Sequence, residues 1–223
     1  MVKTNRYLIL VLSAVLQLFL GIIYIWSIFV VPVSEVYVWD SEAVKLTSSF
    51  MLGFFVLGML VSGRMERRFG TTKPVLLGGL LLAAGMAATA AVPAGSGALI
   101  YGTYGIAGGF GVGMGYGAVV SCVPKWFPDK RGMATGISVC AFGFSTVVFA
   151  PVVRALVSAL GVRAAFLILA AAFAAVTLAL FSFIRLPAAT GDAASQKQAA
   201  GSSARQFTTL EAIKSYKFYF ITL

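Results

Sequence analysis

The chain has 223 residues, of which 60% are hydrophobic and 11% are charged, and its mean hydropathy is +0.95. Soluble domains carry about 25% charged residues, so this composition predicts a membrane protein in a lipid bilayer. The net charge of +10 does not indicate nucleic-acid binding, because the basic residues lie in short clusters between apolar runs. With two isolated cysteines and no histidine, we expect no metal site, no cofactor and no His-based catalytic centre.

Six apolar runs are long enough to cross a bilayer, which takes about 20 residues of α-helix. They are Tyr7–Val31, Lys45–Ser62, Pro74–Val92, Ala98–Val123, Met133–Val153 and Ala164–Ile184. Of the 17 basic residues, only Lys45, Arg154 and Arg163 fall on the side opposite the N-terminus. By the positive-inside rule, this pattern predicts a multi-pass protein of the plasma or inner membrane with both ends of the six-helix unit in the cytoplasm.

A stripe of polar or small residues follows the first run at spacings of three and four, so an α-helix would carry it on one face. The stripe consists of Ser13, Gln17, Gly21, Tyr24 and Ser27. Helix packing through small residues explains Ser13 and Gly21 at least as well as a functional role does. Gln17 and Tyr24 would be unfavourable against lipid, so we expect them to face protein or a water-filled cavity.

A short loop of mixed charge is predicted after the second run, and it contains Gly63, Glu66, Arg67, Arg68 and Gly70. Such a loop could pair with neighbouring helices and latch that side of the protein when it closes. It could equally be an ordinary basic cytoplasmic loop. The spacing leaves the two readings even.

Glycine recurs at every fourth position of the fourth run, as Gly105, Gly109, Gly113 and Gly117. A helix would align these residues on one ridge, although each costs about 1 kcal/mol relative to alanine. Close approach of a neighbouring helix, or open space for a ligand, would explain this cost. The fragments that resemble a dinucleotide-binding glycine loop lie within a span and follow no strand, so we reject that reading.

Composition divides the chain into three parts. Residues 1–185 form the predicted six-helix bundle, and residues 186–206 are rich in alanine, serine, glycine and glutamine, which predicts a flexible cytoplasmic linker. In residues 207–223, Thr208 and Glu211 form a possible capping box of a short helix, and a final apolar run is the expected start of a seventh span.

No ionisable residue lies well inside any of the six runs. Proton-coupled pumps usually carry an embedded carboxylate or histidine, and a buried anion site needs a cation. If the unit binds an anion, we therefore expect the positive charge to come from outside these six helices.

Six spans with both ends inside, followed by a linker and the start of a seventh span, resemble the N-terminal half of a major facilitator superfamily transporter. Segment Gly63–Gly70 is similar to the signature of that superfamily. The segments Trp126–Gly132 (WFPDKRG), Gly21–Ser27 and Gly161–Phe166 resemble the oxalate/formate antiporter family more specifically. Asp129, Lys130 and Arg131 of the first segment would then belong to the cytoplasmic gate.

The resemblance implies exchange or uptake of small carboxylates by alternating access, with no enzymatic activity. Tyr24 and Tyr116 match tyrosines of the oxalate exchanger, whereas Phe142 replaces a tyrosine and Ile23 a glutamine. Two polar contacts are thus replaced, which favours a less polar monocarboxylate over oxalate. Arg67 stands where the superfamily usually has aspartate, so we expect a weakened or rearranged latch.

The leading hypothesis is a transporter half in which Tyr24 and Tyr116 bind the carboxylate, while Gln17 and Ser27 polarise the cavity beside Phe142. Its partners would be the bilayer, the carboxylate and a C-terminal six-helix half, from the same gene or a separate chain. The alternative is a non-transporting, truncated membrane module or a half-transporter that needs a partner chain. No motif supports a membrane enzyme.

Overall fold

The computed structural model describes residues 6–184, all of which belong to one compact unit. Within this range every regular element is a helix, and five helices are long and apolar enough to cross a membrane. They are α1 (Arg6–Val36), α2 (Ser41–Phe69), α3 (Thr72–Ala90), α4 (Tyr101–Trp126) and the continuous helix Arg131–Leu180. The predicted all-α membrane fold is confirmed, whereas the linker and the seventh span lie outside the described residues.

The helix Arg131–Leu180 contains two of the six predicted spans. Gly161 interrupts it with φ 79° and ψ 168°, a backbone conformation that glycine adopts readily. We number the two parts α5 (residues 131–160) and α6 (residues 162–180). At 1.5 Å per residue they extend about 45 Å and about 28 Å, enough for one crossing each.

Two of the spans depart from regular α-helix. In α1, a 3₁₀ turn at Gly21–Ile25 joins the α-helical segments Arg6–Leu20 and Trp26–Val36. A π-helical segment, Tyr101–Gly108, begins α4. The 3₁₀ turn has about three residues per turn instead of 3.6, so it changes which side chains share a face.

The glycines of α4 bring it close to its neighbours. The four at every fourth position, Gly105, Gly109, Gly113 and Gly117, all lie against α2. A β-carbon at Gly113 would overlap the carbonyl oxygen of Phe55. On another face, a β-carbon at Gly111 would lie 2.5 Å from the carbonyl oxygen of Gly78 in α3. Backbone thus meets backbone on two sides of α4.

The structure corrects the predicted loop after the second span. Helix α2 continues to Phe69, so Gly63, Glu66, Arg67 and Arg68 are helical and only Gly70 lies beyond the end. Gly70 ends the helix with φ 78° and donates its N–H to the carbonyl of Glu66 at 2.9 Å. Basic residues in the last turn interact favourably with the helix dipole, which explains the extension.

Candidate functional site

An aromatic cluster forms where α1, α2, α4 and α5 meet. The ring of Phe142 in α5 lies 4.6 Å from that of Tyr116 in α4 and 5.3 Å from that of Tyr24 in α1. Phe55 of α2 completes it, with its ring 5.3 Å from that of Tyr116. These distances are typical of attractive aromatic pairs, so the four rings form one wall.

Local backbone features bring Tyr24 to this wall. A β-carbon at Gly21 would overlap the carbonyl oxygen of Phe142, so only glycine lets α1 approach α5 this closely. The 3₁₀ turn that follows then divides the predicted stripe. Gln17 below the turn is fully buried, whereas Tyr24 within it has 52% of its surface exposed. The predicted stripe thus has a buried part and an exposed part.

The two tyrosine hydroxyls of the wall are available to a ligand. Within residues 6–184, neither Tyr24 nor Tyr116 hydrogen-bonds a protein atom through its hydroxyl, although both rings are packed. Phe142 between them is 4% exposed and contributes no polar atom. The arrangement offers two hydroxyl groups on an otherwise apolar surface, which suits a small solute with a polar head.

Several buried polar side chains of α1 and α5 have no hydrogen-bond partner among the described residues. Neither amide atom of Gln17 has a hydrogen-bond partner, and the same is true of the hydroxyls of Ser13, Ser138 and Ser145 among the described residues. Gln17 lies one helical turn before Gly21 in α1, and Ser138 lies one turn before Phe142 in α5. Both residues are thus one turn from the contact between Gly21 and Phe142. Each unsatisfied buried group costs about 1–3 kcal/mol.

Ser27 is exposed and lines two clefts. One, of 560 Å³, also contains Tyr24 and Lys45, and the other, of 370 Å³, contains Arg154 and Ser158. We call this end of the bundle the far end, and the end that carries Glu66 and Asp129 the basic end. No basic side chain belongs to the aromatic cluster itself, in agreement with the absence of embedded charge in the sequence.

At the basic end, Glu66 joins α2 to α4. Its carboxylate, on a side chain only 9% exposed, accepts from the ammonium of Lys125 at 2.6 Å and from the hydroxyl of Ser121. The hydroxyl of Thr71 donates to it at 3.4 Å. Charge-assisted hydrogen bonds of this kind are about twice as strong as neutral ones, so Glu66 is the main polar tie between these helix ends.

The loop between α4 and α5 is tied to the start of α1. Asp129 accepts from the guanidinium of Arg6 at 3.1 Å. Lys130 is the residue before the first turn of α5, and Arg131 is the first helical residue. Arg67 and Arg68 form no ion pair among residues 6–184, and the Arg68 guanidinium lies 5.3 Å from the ring centre of Phe69.

The sequence did not predict that Phe55 belongs to the aromatic cluster, because a phenylalanine in an apolar helix gives no indication of which residues it contacts. Tyr104 lies outside this cluster: its ring stacks on Trp26 at 4.7 Å, and its buried hydroxyl has no partner within the described part of the chain. Within that part, no three His, Cys, Asp or Glu side chains could hold a metal ion.

These features define a helical, multi-pass membrane protein. The sequence profile of the Major Facilitator Superfamily matches residues 8–223. The chain therefore belongs to this superfamily of transporters, as its motifs predicted.

Named relatives are transporters, not enzymes. The chain is 29% identical to the oxalate:formate antiporter of Oxalobacter formigenes over 198 residues, which is 84% of this chain and 44% of that protein. It is 35% identical to apicoplast pyruvate carrier 1 of Toxoplasma gondii over 108 residues, 48% of this chain and 19% of the carrier. It is 33% identical to human monocarboxylate transporter 12 over 113 residues, 51% of this chain and 21% of that transporter. The chain spans less than half the length of these relatives.

Proposed function

We propose that the chain is one half of a secondary transporter that exchanges or takes up small organic anions by alternating access. The supporting observation is the convergence of Tyr24, Tyr116 and Phe142 from three helices, with two hydroxyls unbonded among the described residues. The basic end would face the cytoplasm of the plasma or inner membrane, because the loops there carry most of the lysine and arginine.

The substrate class follows from the chemistry of the wall. Hydroxyls of Tyr24 and Tyr116 would donate to carboxylate oxygens, while Phe142 contacts an apolar substituent. Gln17 and Ser27 would add polarity at either side. Names of the relatives point to oxalate, formate, pyruvate and other monocarboxylates, and the apolar Phe142 favours a monocarboxylate.

A second six-helix half would supply the cation that a carboxylate needs and would close the other side of the cavity. The glycine ridge of α4, Gly105 to Gly117, would let α4 and α2 move as one rigid body. The ion pairs of Glu66 with Lys125 and of Asp129 with Arg6 both lie within this half. They would therefore hold the cytoplasmic ends of its own helices together.

The alternative is a non-transporting membrane module or a half-transporter that needs a separate partner chain. Exposed apolar side chains recur every fourth residue on α2, at Leu52, Val56 and Leu60, and lipid or a partner must cover them. Native mass measurement in detergent distinguishes the cases: a strict monomer without transport supports the module, and a stable complex supports the half-transporter.

The experiment replaces Tyr24 and Tyr116 with phenylalanine in protein reconstituted with the second six-helix half. Losing two hydroxyl donors should reduce the kcat/KM of formate exchange at least tenfold, at about 1 kcal/mol or more per hydrogen bond. Tyr104→Phe is the matched control, because its buried hydroxyl has no partner within residues 6–184. If the double variant exchanges formate like the control, the proposed site is wrong.

A further inference from the structure

The two clefts at the far end place Ser27 between a cation and the aromatic cluster. The 370 Å³ cleft lies between α1 and α5 and brings Ser27 and Arg154 together. The 560 Å³ cleft runs from the same serine to Tyr24. A solute bound at Arg154 would therefore lie beside the hydroxyl of Ser27, with Tyr24 one turn deeper in α1.

Arg154 differs from the other cations at this end. Lys45 is paired with Glu42 at 2.6 Å, and the guanidinium of Arg163 donates to the carbonyl of Val92 at 3.0 Å. Arg154 has neither an ion pair nor a hydrogen bond among residues 6–184. Its N–H donors are thus free for a ligand.

The acidic residues of the far end do not neutralise Arg154 by contact. Asp40 caps α2 by accepting from the N–H of Ala43 at 3.0 Å, and Glu42 is paired. Glu35 is exposed on α1 and lies more than 4 Å from every basic nitrogen of the described residues. Within the described residues, the guanidinium of Arg154 thus lines the cleft without a carboxylate in contact with it.

We propose that Arg154 and Ser27 form an outer subsite for a small carboxylate, which receives the anion before it reaches Tyr24 and Tyr116. A planar guanidinium matches both oxygens of a carboxylate, and the serine hydroxyl adds one donor. A cation at the mouth of a cleft also raises the local concentration of anions and their rate of entry. The subsite rests on the proposed transport function and adds a positive charge within this half.

The test measures formate exchange from the far side of sealed proteoliposomes that contain the protein with the second six-helix half. Arg154→Gln should raise the far-side KM about twofold to fivefold and leave the opposite-side KM unchanged, as expected for one exposed charge contact. Arg154→Lys should restore part of the affinity. Arg64→Gln, which removes an exposed positive charge at the basic end, is the control.

The outcomes separate this subsite from the general function. If the wild-type protein exchanges no carboxylate, the proposed function fails. If it does exchange carboxylate but Arg154→Gln behaves like the control, only the subsite is overturned. The headgroup of an anionic lipid is the other anion that Arg154 could bind. An effect that occurs in vesicles with anionic lipid and disappears in pure phosphatidylcholine would therefore also overturn the subsite.

Discussion

At the residue scale, Gln17 is a buried polar side chain that lowers the stability of the protein. Its carboxamide is 0% exposed, and neither of its polar atoms has a partner among the described residues. The protein is therefore less stable with glutamine in this position than it would be with a leucine of similar size. Retaining such a cost is typical of sites where a ligand or a second conformation supplies the missing partner.

Replacing Gln17 with leucine should raise the free energy of unfolding by about 1–2 kcal/mol, because an unsatisfied amide is removed. The same change should slow carboxylate exchange. Thermal unfolding in detergent and exchange in proteoliposomes measure the two effects.

Thr89→Val is the matched control for this prediction. The Thr89 hydroxyl is buried but donates to the carbonyl of Gly85 at 2.8 Å, so its loss should lower stability by about 1 kcal/mol. If Gln17→Leu also lowered stability, the amide would have partners that this account lacks.

Glu66 carries a prediction of the opposite sign. Glu66→Gln removes the charge that holds Lys125, Ser121 and Thr71 at the basic end, and it should lower the free energy of unfolding by about 1–3 kcal/mol. Chemical unfolding in detergent measures this loss. The exposed Glu35→Gln is the control and should change little; equal effects of the two variants would contradict the assigned role of Glu66.

At the scale of elements, the sequence predicted the helices better than their irregularities. Hydropathy alone marks all six spans, because a helix needs about 20 apolar residues to cross a bilayer. The 3₁₀ turn at Gly21–Ile25 was not predictable, since the approach of α1 to Phe142 belongs to the tertiary structure. The charged residues led us to expect a loop from Gly63 onward, whereas the actual end of α2 is set by the positive φ of Gly70.

The glycine helix gives a test at this scale. Gly113→Ala would drive a methyl group into the carbonyl of Phe55, so it should force α4 from α2 and lower stability by about 1–3 kcal/mol. Gly136→Ala in α5 meets no atom within 4 Å and should raise stability by up to about 1 kcal/mol. Unfolding measurements that place both variants on the same side of the wild type would contradict the packing.

For the whole molecule, the superfamily could be identified from short motifs, and the site only in part. Tyr24, Tyr116 and Phe142 were predicted as substrate residues, and that role stays a prediction although their rings do meet. Phe55 and the unpaired state of Arg154 depend on the three-dimensional packing of helices. In the sequence, Phe55 cannot be distinguished from a lipid-facing residue, and Arg154 cannot be distinguished from a basic residue in a loop.

Counterflow of radiolabelled carboxylates tests the central claim most directly. The protein would be reconstituted with a second six-helix half in liposomes loaded with unlabelled formate, and uptake of labelled formate, pyruvate, oxalate and glycerol compared. We predict saturable uptake of the monocarboxylates, slower uptake of oxalate, and uptake of glycerol at the rate of protein-free liposomes. Carboxylate uptake no faster than in protein-free liposomes would contradict the account.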